Sequence, residues 1–143
     1  MKRTYLTFDV PGKPMGKQRP RHTKNGHTYT PDETVNYENL VKVCFREKYP
    51  DHVPTELPVY LSISAAFPVP QSWSNKKKEM AQKDKIYPGK PDWDNVGKII
   101  SDALNGIAYI DDSQVHMCVV SKYYSPIPGV NVSITYEEAE DNE

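Results

Sequence analysis

Residues 90–115 read KPDWDNVGKIISDALNGIAYIDDSQV, a run that holds a helix, a short return and the start of a strand. Pro91 pushes Lys90 into an extended conformation. With Asp92-Trp93-Asp94 extended as well, Asp92 and Asp94 point to one side and Trp93 to the other. The helix is expected to begin directly afterwards, with Asp94 as its N-cap. Val96, Ile99, Ile100, Ala103 and Leu104 then fall at i, i+3, i+4, i+7 and i+8, one apolar face. Gly106 closes the helix as the C′ glycine. On the opposite face Lys98 and Asp102 stand one turn apart and can pair. Ile107–Ile110 is apolar, and Asp111-Asp112 leads into the next strand. The return is short, so this second acidic pair comes back near the first.

Near the start of the chain, Thr4–Val10 alternates Tyr5/Thr7/Asp9 with Leu6/Phe8/Val10 and reads as a strand. The Pro-, Gly- and Lys/Arg-rich run that follows is a long loop, and Asn25-Gly26 marks a turn in a short ribbon. Thr30 as N-cap, Pro31 at the first helical position and Asp32-Glu33 behind it open a helix to about Lys48. Val35, Leu40, Val41, Cys44 and Phe45 are expected on its inner side, and Pro50 lies beyond its end. Val59–Phe67 is a strand rich in β-branched and aromatic residues. Ser72–Lys85 is a short basic helix capped by Ser72 or Ser74, and Tyr87–Pro91 is an extended connector. Val115–Tyr123 and Val130–Tyr136 are two more strands, and their closeness in sequence predicts an antiparallel pair. The expected fold class is α+β: one domain over residues 1–136, a small mixed or antiparallel sheet of about four strands, and helices packed on it. Residues 137–143 form an acidic tail expected to be disordered.

A chain of 143 residues accommodates one compact domain. No stretch approaches the roughly 20 apolar residues that span a bilayer. The start, MKRTYLTFDV, carries no apolar run of signal-peptide length, so a cytoplasmic location is expected. Cys44 and Cys118 lack partners at metal-ligand spacing, which argues against zinc and for buried free thiols. The net charge of −1 hides an uneven distribution. Residues 1–30 carry seven bases against one acid, and residues 72–90 carry six bases against two. The last seven residues carry five acids and no base. A basic body behind an acidic tail fits a polyanion partner.

The acidic residues of 92–112 then acquire a chemical reading. Taken alone, Asp94 is a plain cap and Lys98 a solvated partner of Asp102. Two acid clusters brought together in a fold repel unless a cation sits between them. Hard oxygen ligands without cysteine or histidine indicate Mg²⁺, with Mn²⁺ as the alternative. Neighbouring lysines then neutralise a phosphate that must approach carboxylates.

The same segment resembles the signature of the RusA family of Holliday junction resolvases. Three pieces carry the resemblance in order and spacing: Asp92-Trp93-Asp94-Asn95-Val96-Gly97-Lys98, then Asp102-Ala103-Leu104, then Asp111-Asp112-Ser113-Gln114-Val115. The Gly-Lys-Gln-Arg-Pro-Arg run at 16–21 is similar to the basic N-terminal loop of many members. The resemblance implies Asp92, Asp94 and Asp112 as metal ligands and Lys98 as the essential lysine, with Asp111 the weaker member of its pair. It further implies a homodimer that places two sites on a four-way DNA junction in recombination and repair, in a family often encoded by prophages. Two features depart from the family pattern: bases just before Asp92 are only Lys85 and Lys90, and Ser72–Lys85 is longer than in compact members. Junction grip is therefore assigned to Lys76–Lys78 instead of to bases just before Asp92.

On this reading Lys98 contacts a non-bridging oxygen or the leaving group. Asp102 either orients Lys98 or forms a plain surface pair with it. Asn95 either holds a ligand carboxylate or stays at the helix start. Lys17, Arg19 and Arg21 are assigned to DNA phosphates, and Lys90 joins them. Trp93 either packs in the core between strand and helix, the more frequent fate, or stacks on a base. Two rival functions remain at this stage. One is a non-catalytic phage DNA-binding protein using the basic loop; the other is a metal-dependent nucleotide phosphohydrolase.

Overall fold

The computed structural model describes residues 2–139. Strand β1 spans Lys2–Pro11, and a two-stranded ribbon follows, β2 at Arg21–His22 and β3 at Thr28–Tyr29. Gly26, at φ +81°, makes the turn between them, as the Asn25-Gly26 signal requires. Helix α1 spans Asp32–Lys48, β4 Val59–Phe67, α2 Asn75–Gln82 and α3 Trp93–Ala103. A single 3₁₀ turn at Asp112–Gln114 leads into β5, Val115–Tyr124, and β6 spans Gly129–Glu138. The protein is an α+β domain, three helices on a four-stranded mixed sheet. No helix among the described residues is long and apolar enough to cross a membrane.

The sheet order is β1-β6-β4-β5, which corrects the expected β5–β6 hairpin. β6 inserts between β1 and β4, antiparallel to both, while β5 lies parallel to β4 at the edge. The physical reason is the connection. The chain from β4 to β5 passes through α2 and α3, and a helical crossover returns a strand parallel to the one it left. Alternation along the strands then builds inward rows. Leu6, Ile134, Leu61 and Cys118 align across the four strands, as do Phe8, Val132, Ile63 and Val120. Helix α1 packs over β1, α3 over β5, and the two helices pack against each other. Gly97 lets α3 approach closely: a Cβ there would lie 3.2 Å from Val120 Cγ2.

Several boundaries shift for local reasons. Pro31, not Thr30, is the N-cap position of α1, and the inward stripe is Thr34, Tyr37, Val41 and Phe45. Val35 is 40 % exposed, because the helix turns its Thr34/Tyr37 side toward the sheet, and Leu40 and Cys44 sit at the margin of the core. Ser74 is the cap of α2, its hydroxyl accepting from the Lys77 amide. Trp73 stacks edge-on against Tyr124 of β5 at 5.2 Å, which docks the basic helix on the sheet edge. Cys118 is exposed rather than buried, since β5 is an edge strand. Glu137 and Glu138 complete β6, so the strand extends into the expected tail; residues 140–143 lie outside the described residues.

Candidate active site

Helix α3 carries the site because its two faces have opposite duties. Val96, Ile99, Ile100 and Ala103 are buried at its core side. Asp94, Lys98 and Asp102 recur at four-residue spacing, so they stack along the outer side one turn apart. The helix begins earlier than its sequence suggests. Asp92 is the N-cap residue, with extended backbone and no side-chain cap bond, and Trp93 and Asp94 are already helical. Asp94 is therefore a first-turn residue whose Oδ1 accepts from the Asn95 amide at 3.0 Å, a position where the helix dipole favours an anion. The extended, same-side placement expected for Asp92 and Asp94 gives way to a cap residue and a first-turn residue with Trp93 between them. Asp92 pairs with Lys90, whose Nζ lies 2.9 Å and 3.1 Å from the two carboxylate oxygens.

The short connection brings the second acidic pair back to α3 beside Lys98. Leu104 caps α3, and Gly106, at φ +73°, turns the chain two residues after that cap. Tyr109 is fully buried and donates its hydroxyl to Ser101 O at 2.7 Å, which pins the return against the helix. Gln114 donates to Thr55 O and Leu57 O at 2.8 Å and 2.9 Å and accepts from the Asp111 amide. The Asp111 carboxylate accepts from the Ser113 amide, and its hydrogen bonding to Ser113 holds the carboxyl below its ordinary range. Asp111 is thus spent on the turn. Asp112, 29 % exposed in its side chain, faces α3 instead.

There it meets Lys98. The Lys98 ammonium lies 2.9 Å from Asp102 Oδ1 and 3.5 Å from Asp112 Oδ2. The hydrogen bond to Asp102 is the main cause that raises the Lys98 pKa, against a smaller opposing effect of burial. Lys98 therefore remains a cation across the neutral range. Burial works to raise the Asp102 carboxyl, but hydrogen bonds from Lys98 and Lys17 outweigh it and the group stays ionised below its ordinary value.

Lys17 has unexpected partners. Its Nζ sits 2.8 Å from Glu38 Oε1 of α1 and 3.3 Å from Asp102 Oδ2, so its charge points into the protein rather than outward to a phosphate. Arg19 and Arg21 are exposed beside it. Trp93 is 64 % exposed, which excludes the core placement that its neighbours suggested. Asn95 offers its backbone carbonyl to the Lys17 amide at 2.8 Å. A groove of about 350 Å³ runs here, lined by Gly16, Gln18, Lys90, Asp92 and Asn95 among others. A larger concavity, about 620 Å³, lies on the sheet's open face among Arg3, Tyr60, His116 and Met117 and contains none of the site's carboxylates.

Residues 11–135 match the protein family described as Endodeoxyribonuclease RusA. The chain belongs to the RusA family. It is also 39 % identical over 135 residues to the uncharacterized protein YqaN of Bacillus subtilis (strain 168), across 90 % of this chain and 94 % of that protein.

Nucleases of the RusA family generally depend on a divalent metal. The donor chemistry here fits a hard cation, since every candidate ligand is a carboxylate. Among the described residues no three His, Cys, Asp or Glu side chains stand grouped as an ion's ligands. Asp112 and Asp102 are balanced by Lys98 instead, and Asp92 by Lys90. Two site residues escaped sequence reasoning. Glu38 carries no signal, being one acid among several on α1. Lys122 carries a faint one: it follows Cys118 and Val120 in the inward alternation of β5, where an apolar residue belongs. Its Nζ donates to Gly89 O and Pro91 O and so holds the connector that delivers Asp92.

Proposed function

We propose that this RusA-family chain resolves four-way DNA junctions, as a homodimer that makes paired symmetric nicks in recombination and repair with Mg²⁺ held by Asp92, Asp94 and Asp112. The single observation that carries the reading is the Lys98 ammonium on the same helix face as Asp94, within reach of Asp112 returning from the far side of the turn. Hydrolysis of a phosphodiester needs charge neutralised at a non-bridging oxygen, and Lys98 is a fixed cation at that place. Bound Mg²⁺ would supply an activated water and Lewis-acid help for the leaving oxygen. Asp102 holds Lys98 in line, and Lys90 offsets the charge of Asp92 as the substrate phosphate approaches.

Arg19 in the exposed loop and Arg21 on the ribbon, with Lys76 and Lys77 on α2, supply sequence-independent phosphate contacts. Trp93, exposed between the two helix-entry aspartates, is positioned to stack on a base left unpaired at the crossover. The test is a purified protein with a labelled synthetic four-way junction in Mg²⁺, Mn²⁺ or chelator. Paired nicks at symmetric positions that need the metal support the reading. Nicks on plain duplex at an equal rate reduce it to a general nuclease, and binding without cutting leaves a DNA-binding protein.

A further inference from the structure

The basic loop after β1 is fastened to α3 at three points. The Lys17 amide donates to Asn95 O at 2.8 Å. Gly16 abuts the connector so closely that a Cβ there would lie 2.5 Å from Pro91 Cβ and 3.2 Å from Asn95 Cβ. The Lys17 side chain, only 24 % exposed, lies between Glu38 and Asp102. Asp102, 17 % exposed, therefore bridges two ammonium groups, taking Lys17 on Oδ2 and Lys98 on Oδ1. Charges alternate from α1 to the turn before β5: Glu38, Lys17, Asp102, Lys98, Asp112.

We propose that Lys17 is a positioning residue that acts through Asp102 on Lys98, and that it is not a phosphate contact. On the reading of Lys98 as the cation at the scissile phosphate, Lys17 and Lys98 compete for Asp102. Lys98 holds Asp102 at 2.9 Å and Asp112 at the longer 3.5 Å. While Lys17 occupies the second oxygen of Asp102, that carboxylate is half neutralised and its orientation is set from two sides. Remove the Lys17 charge and both oxygens become free for Lys98, the nearest cation, which is drawn toward Asp102 and away from Asp112. The loop that carries Arg19 and Arg21 is attached through the same lysine. Seating the ribbon on DNA and aligning Lys98 are thus joined in one ion-pair chain.

The test uses the full chain with Lys17→Met, Lys17→Arg and Glu38→Gln. Single-turnover junction cleavage should fall roughly 10- to 100-fold in Lys17→Met, the cost of a displaced catalytic cation. Junction affinity and its salt slope should stay at the wild-type value, and Lys17→Arg should recover part of the rate. A phosphate contact behaves oppositely: Lys17→Met would keep its single-turnover rate, bind less tightly and lose about 0.9 from the salt slope. That result, or no change in either quantity, overturns the proposal. Hydrogen exchange at the Lys17 amide needs no substrate and should be faster in Lys17→Met and Glu38→Gln than in wild type. Unchanged exchange in both overturns the fastening. A wild-type chain that leaves junctions uncut overturns the nuclease reading, while faster exchange in the variants still supports the fastening.

Discussion

Asp111 and Asp112 are adjacent, chemically identical and used differently, which makes them a sharp test at the scale of single side chains. Asp111 accepts from the Ser113 amide and Asp112 faces Lys98. Asp112→Asn should lower junction cleavage by roughly a hundredfold or more while junction binding persists, as expected for a group used in the transition state. Asp111→Ala should leave cleavage near wild type and lower Tm slightly, because only a cap is lost. Lys17 gives a test of pH. Its burial lowers its pKa, but the Glu38 and Asp102 carboxylates outweigh that and the folded value lies above the ordinary 10.5. A raised lysine stabilises the fold fully below the unfolded value and loses that contribution as pH climbs through the folded one. Thermal melts between pH 9.5 and 11.5 (about one unit either side of that value) should therefore fall more steeply in wild type than in Lys17→Met. The roles of Asp92, Asp94, Lys98 and Asp112 were readable as candidates because the spacing along one helix and one turn is local. The partnership of Lys17 with Glu38 was not, since 21 residues of loop and helix separate them and nothing in either neighbourhood announces the other.

Among the elements, α3 shows how close approach governs the site. The apolar stripe at Val96, Ile99, Ile100 and Ala103 was legible, and all four are buried as the helical period requires. Ile100→Ala, at a fully buried position, should cost about 2–5 kcal/mol in urea unfolding, the range for emptying a packed aliphatic site. Gly16 is the tighter constraint. A methyl group there meets the Cβ of Pro91, a ring that cannot rotate away, so the loop or the connector must move. Gly16→Ala should destabilise by about 1–3 kcal/mol, as overpacking does, and should slow cleavage because the displaced segment carries Asp92. A stability loss with full cleavage would show that the loop and the site are mechanically independent. The helix start was misread by two residues for a physical reason: after an extended Asp92, Trp93 has no packing obligation and joins the helix exposed. A large apolar side chain between two acids argues for the core until the fold shows that there is no core beside it.

For the molecule as a whole, charge is arranged rather than summed. Deleting residues 139–143 removes Glu140, Asp141 and Glu143 and moves the formal net charge from −1 to +2. Junction binding of the shortened chain should be tighter at low salt and converge with the full chain at high salt, because screening erases long-range repulsion. Equal binding at every salt concentration would show that those acids do not reach the bound DNA. The alternation of β1 and β4, the stripe of α3 and the Asp-x-Asp, Lys and Asp-Asp pieces are all local patterns. Residue periodicity and turn chemistry act over a few residues, so the α+β class, the inward faces of β1 and α3 and the acidic candidates were in the amino-acid order alone, whereas the inward face of α1 was not. Strand neighbours are chosen by long-range packing. Only the folded chain could set β6 between β1 and β4, run β5 parallel to β4, leave Trp93 in solvent and turn Lys17 inward to Asp102, since each depends on which surfaces meet once every hydrophobic row has found its cover.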